Sequence, residues 1–234
     1  MVMTLAIVLV VSGALLAGAA WGIWGRLSDR TNGALVALAG GALLLSVVRE
    51  LIEPSIETTS FAIVAAGVLG GAAVFAIADY LIDEKWGPQS GGGLLAAITL
   101  DGIPENPALG VVLISASPTE AAALAGSILL SNLPEAAGSA KEMRESKLGR
   151  MQIMALWGAT ALILSAAAII GNIVLEGASD ETLAIIRCSA AGAVIASLAT
   201  EVFPKAYRED SHWAGMATAV GAMLALFLGT LAGG

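Results

Sequence analysis

Along nearly the whole of this chain, apolar stretches follow one another, each close to the twenty residues that a helix needs to cross a bilayer. A backbone surrounded by lipid finds no water, so a spanning segment must satisfy its own N–H and C=O groups, as a helix does, or close into a barrel. Barrel strands are about half as long as these stretches, so the predicted fold is an all-α integral membrane protein. Composition agrees: 57% of residues are hydrophobic, 13% are charged and 28 are glycine, and the mean hydropathy is +0.86.

Polar breaks divide the chain into eight predicted spans: Leu5 to Trp24, Gly33 to Ile52, Phe61 to Ile82, Gly91 to Ser115, Thr119 to Ala140, Gly149 to Val174, Leu183 to Phe203 and Ala214 to Leu231. An even number puts both termini on one side. Of the eleven Lys and Arg residues, Arg26, Arg30, Lys85, Lys141, Arg144, Lys147, Arg150, Lys205 and Arg208 fall in odd-numbered loops, which makes those loops cytoplasmic and both termini extracytoplasmic. The expected location is the cell membrane, multi-pass, with the lipid bilayer as the constant partner. Trp21, Trp24, Trp86, Trp157 and Trp213 lie near the same predicted boundary, where an indole can bury its ring and keep its N–H wet. The first stretch lacks a basic leader and runs into Arg26, so it reads as a span and not as a cleaved signal.

The net charge of −8 argues against nucleic acid, and a single cysteine, Cys188, reads as a small core residue. No linker or soluble insertion interrupts the spans, so residues 1–234 read as one transmembrane domain, compatible with a homodimer. Gly18 and Gly22, and Gly67 and Gly71, have the four-residue spacing that lets membrane helices touch. Gly41-Ala42, Ser46 and Glu50 in the second span recur as Gly192-Ala193, Ser197 and Glu201 in the seventh. Those two spans run in opposite directions, which is the relation expected of inverted repeats.

Two segments carry the chemistry: Asp101-Gly102-Ile103-Pro104-Glu105-Asn106 in the fourth span and Ser131-Asn132-Leu133-Pro134-Glu135-Ala136 in the fifth. A carboxylate beside a proline in a membrane helix is costly both in desolvated charge and in a broken hydrogen-bond ladder. Asp101 and Glu105 share one helix face, as do Ser131 and Glu135, and the prolines free the carbonyls of Leu100, Ile103 and Leu130. Asp101, Glu105 and Glu135 with the Ser131 hydroxyl and the Asn132 amide would form an oxygen-rich site, neutralised by a cation or by protons, with no Lys or Arg expected at that depth.

These motifs, together with Arg49-Glu50-Leu51-Ile52-Glu53-Pro54 and Glu201-Val202-Phe203-Pro204, resemble the ZIP (Zrt/Irt-like) family of metal-ion transporters, in particular its prokaryotic branch. The resemblance implies a 3+2+3 arrangement of eight helices with inverted repeats and a divalent metal cation as transported substrate. It also implies no enzymatic activity. The chain departs from the family at the site itself. Asp101-Gly102 and Ser131-Asn132 stand where the family usually has histidine or glutamine, and the sixth span offers Gln152 where an acid is common. An all-oxygen shell suits magnesium, calcium or manganese and disfavours zinc. Glu50, Glu201 and Gln152 are candidate pathway residues. The alternative function keeps the fold but moves another cation or protons. An intramembrane aspartyl protease on Asp101 would need a second aspartate, and Asp79 lacks the glycine-rich flank expected there.

Overall fold

The computed structural model describes residues 2–86, 99–100, 102, 106, 109–114 and 118–232, and among these every regular element is helical. Helix α1 is Val2–Trp24, α2 is Asp29–Thr58 and α3 is Phe61–Trp86. The helical residues 99–100, 102, 106 and 109–114 belong to a segment labelled α4. Then follow α5, Pro118–Glu145, α6, Arg150–Val174, α7, Asp180–Glu209, and α8, Ala214–Ala232. The helices α1, α2, α3, α6 and α7 are each long and apolar enough to cross a membrane. Large apolar side chains such as Leu9, Phe61, Leu69 and Leu162 face outward, the distribution expected of a bundle surrounded by lipid.

Short connections set the helix ends. Ser28 caps α2 by accepting the Thr31 N–H at 3.1 Å, and Ser179 caps α7 by accepting the Thr182 N–H at 3.3 Å. Asp29 and Asp180 follow in the first turns, where the helix dipole favours an anion. After α5 the chain turns through Lys147, at φ 68°, while the Leu148 N–H returns to the Met143 carbonyl at 3.1 Å, closing the helix with a left-handed residue. Gly177, at φ 85°, makes the corresponding turn after α6.

Inside, the bundle is built on small residues. A Cβ added at Gly18 or Gly22 of α1 would overlap the Leu133 or Ala137 carbonyl of α5. At the α2–α8 crossing, Gly41 faces the Thr218 carbonyl and Gly221 faces Leu38; at the α3–α7 crossing, Gly192 faces Val68 and Gly71 faces Ser189. Such contacts replace hydrophobic burial, which gives no net drive between helices in lipid. Cys188 is fully buried beside Gly67, as a small core residue should be.

Contact order along these pairs fixes the helix directions. Val36 and Ala37 meet Ala214 while Arg49 meets Gly229, so α2 and α8 are parallel. In contrast, Ser12 pairs with Ser165 and Thr4 with Asn172, so α1 and α6 are antiparallel, and Asn32 to Glu209 with Gly40 to Phe203 makes α2 and α7 antiparallel. The start of α1 and the end of α8 therefore lie at one end of the bundle, with Arg49; Asp29, Lys141 and Glu209 lie at the other.

Two expectations about boundaries are corrected. The second and seventh spans were expected to stop at Ile52 and Phe203, but α2 and α7 continue past Pro54 and Pro204 to Thr58 and Glu209. Each passes its proline through one wide turn, Val48–Ile52 and Leu198–Val202, in which the Glu53 and Phe203 N–H groups reach back to Val48 and Leu198. A proline lacks the N–H that a regular ladder would use, and an extra residue in the turn relieves its clash with the preceding carbonyl. Trp157 is the second correction: it is 1% exposed within the α1–α5–α6 core, with Nε1 buried and unpaired, and is no interfacial anchor. Trp21, Trp24 and Trp213 are exposed, as a boundary residue requires.

Candidate functional site

Midway along α5, Pro134 sits inside the helix, and Ser131, Glu135 and Ser139 follow one another at four-residue spacing on one face. On α7 the same spacing aligns Ser197, Glu201 and Lys205. The two rows face each other across a cavity of about 90 Å³, closed on its third side by Val36, Gly40 and Leu43 of α2. That volume holds roughly three water molecules at liquid density, or one partly hydrated cation. α5 and α7 both run toward the Lys141 end, so the cavity extends from the middle of the bundle to that end.

The shape of the wall follows from the local sequence. Gly40 brings α2 against the Phe203 ring and Val202, which makes this wall apolar and leaves polar lining to the other two helices. The wide turn before Pro204 keeps α7 helical through Lys205 and so brings that lysine onto the face of Glu201. Ser131 is 2% exposed and donates to the Ile128 carbonyl at 3.0 Å, which leaves its oxygen lone pairs directed elsewhere.

The predicted site residues separate accordingly. Ser131, Glu135 and Glu201 share this cavity. Asn132 is buried at 4% exposure but is not among the lining residues. Gln152 is exposed in the first turn of α6 and does not line the cavity. Glu50 lies at the opposite end of α2, half-buried, with Oε2 shielded from solvent and unpaired. Asp101 and Glu105 lie outside the described residues. Among the described residues, no three His, Cys, Asp or Glu side chains gather closely enough to hold a metal ion. The anionic donors of the described part of the cavity are two carboxylates, supplemented by the hydroxyls of Ser131, Ser139 and Ser197.

Ser139 was not singled out in the sequence, Ser197 entered only as a matched position of the internal repeat and Lys205 only as a loop residue, though the four-residue rows on α5 and α7 contain all three. Lys205 also corrects an expectation: it was assigned to the seventh loop, and no basic residue was expected near the carboxylates. It instead lines their cavity, at 16% side-chain exposure, with Nζ 3.2 Å from Glu142 Oε1. At the same end Lys141 pairs with Asp29, Asn32 Nδ2 donates to Glu209 Oε1 at 2.8 Å, and Arg144 donates to the Ile23 carbonyl at 2.9 Å. These contacts tie α1, α2, α5 and α7 together around the cavity mouth.

No family model matches the chain, and no curated protein matches it.

Proposed function

We propose that this chain is a multi-pass transporter for divalent cations, of ZIP-like architecture, whose cargo passes through the α5–α7 cavity. The observation that carries the reading is the pairing of Ser131, Glu135 and Ser139 with Ser197 and Glu201 across one small cavity. In a low-dielectric bundle, carboxylates need a cation or protons beside them, and surrounding hydroxyls offer further hard oxygen ligands without fixing the ion too tightly to leave. On this reading Asp101 and Glu105 are further ligands. The Lys141 end is cytoplasmic by the distribution of Lys and Arg.

An inverted-repeat origin gains support from features beyond the motif that first suggested it. Ser28-Asp29-Arg30-Thr31 and Ser179-Asp180-Glu181-Thr182, 151 positions apart, start α2 and α7 with the same cap. Gly41 and Gly192 have the same separation and occupy equivalent crossings; the wide turns and their prolines recur 150 positions apart. Helices α2 and α7 are antiparallel, as an inverted repeat requires, and a cavity between such halves is where transporters hold cargo.

The alternative cargo is protons or another cation, favoured by the absence of histidine from the lining of the cavity. Purified protein in liposomes, assayed in parallel for uptake of magnesium, calcium, manganese and zinc and for proton flux, separates the two. Metal entry supports the proposal, with zinc not preferred over manganese. Proton flux without metal entry would replace it with the alternative.

A further inference from the structure

Lys205 has a position that metal coordination does not explain. On α7 it stands one turn beyond Glu201 and one turn before Glu209, and across the cavity it faces Ser139 and Glu142 of α5. Its ammonium thus lies between two tiers of acid: Glu135 and Glu201 within the cavity, Glu142 and Glu209 at the mouth. Two other basic groups at this end have partners outside the cavity, Lys141 with Asp29 and Glu145, and Arg144 with the Ile23 carbonyl. Among the described residues, Lys205 is the only basic side chain lining the cavity.

Its present partner does not hold it firmly. Glu142 is 53% exposed, and an ion pair with one partner in solvent contributes little. A lysine stem has four flexible carbons and carries a compact charge, so its ammonium can move between neighbouring acids by rotamer changes alone.

We propose that Lys205 is the cavity's own counter-cation: its ammonium moves between Glu142 at the mouth, where the structure places it, and Glu135 and Glu201, for which it competes with cargo. The lysine thereby sets the affinity of the site and, by returning, favours release toward the mouth. The cargo part of this inference rests on the transport reading above; the pairing of Lys205 with the cavity carboxylates does not.

The test uses the full-length protein in detergent and two readouts. In the first, amines are acylated by an N-hydroxysuccinimide ester, and the rate at Lys205 is compared by mass spectrometry with that at exposed Lys147 in the same molecules. Removing one of the two cavity carboxylates that the ammonium neutralises should make Lys205 react several-fold faster in Glu135→Gln, with Lys147 unchanged; Glu201→Gln serves if Glu135→Gln does not fold. An unchanged ratio overturns the proposal. In the second, Mn²⁺ alone is titrated and thermal stabilisation is followed. Lys205→Gln should bind Mn²⁺ at least about tenfold more tightly than wild type, since a positive charge next to the site is gone, while Lys205→Arg stays near wild type and Glu142→Gln binds more weakly. Mn²⁺ binding that Lys205→Gln leaves unchanged or weakens also overturns it. Faster acylation in Glu135→Gln with no Mn²⁺ stabilisation of any form would keep Lys205 as counter-cation and reject the divalent-cation reading.

Discussion

Glu135 follows a helix-breaking proline and points with two serines into a cavity, in a part of the bundle where an unneutralised carboxylate costs about 3 kcal/mol by insertion-type scales. On the proposed function, its retention is explained by the cation or proton it attracts. Glu135→Gln removes the charge and keeps the shape, so the metal-free variant should melt at or above the wild-type temperature, and stabilisation by Mn²⁺ should shrink. A second prediction concerns the donor set: Ser131→His places an imidazole at the cavity wall, and competition binding should show a shift toward zinc over manganese. Unchanged selectivity in a folded variant would mean that Ser131 does not contact cargo. At this scale the sequence drew attention to Glu135 because a carboxylate beside a proline is costly in a membrane helix, and the structure puts Glu135 on the wall of a cavity. Lys205 and Trp157 were not legible: a lysine near a span end reads as loop, and a tryptophan there reads as interfacial, until the path of the helix past Pro204 and the packing of α6 on α1 and α5 are known.

The helices themselves were visible as apolar runs, but their ends were not. Sequence rules stop a helix near proline, whereas α2 and α7 absorb Pro54 and Pro204 in a wide turn and add a further turn or more. Their pairing rests on glycines, and neighbouring residues of α3 allow a controlled comparison. A Cβ at Gly71 would overlap the Ser189 carbonyl of α7, while one at Gly70 meets nothing within 4 Å. Gly71→Ala should therefore destabilise by about 1–3 kcal/mol, since the atoms it would meet are the Ser189 backbone, which cannot turn aside. Gly70→Ala should be neutral or stabilising by up to about 1 kcal/mol, the difference in helix propensity. Thermal unfolding in detergent distinguishes them, and equal effects would mean that α3 and α7 do not cross at Gly71.

For the whole molecule, the same cap and the same glycine crossing occur on α2 and α7, which run in opposite directions. On the proposed inverted-repeat reading, two copies of one unit inserted in opposite senses produce this, and the charge distribution then chooses which end faces the cytoplasm. A cysteine introduced near Lys147, with Cys188 replaced, should be labelled only from the cytoplasmic side, and one near Ser179 only from outside; labelling of both from one face would refute the eight-span topology. The central claim is that a divalent cation moves through the cavity between α5 and α7. Its most direct test is Mn²⁺ uptake into liposomes containing wild-type protein or Glu135→Gln, with proton flux recorded in the same vesicles. The account predicts saturable Mn²⁺ entry with wild type and none with the folded variant. Absence of Mn²⁺ entry with wild type, or equal entry with both, would contradict it.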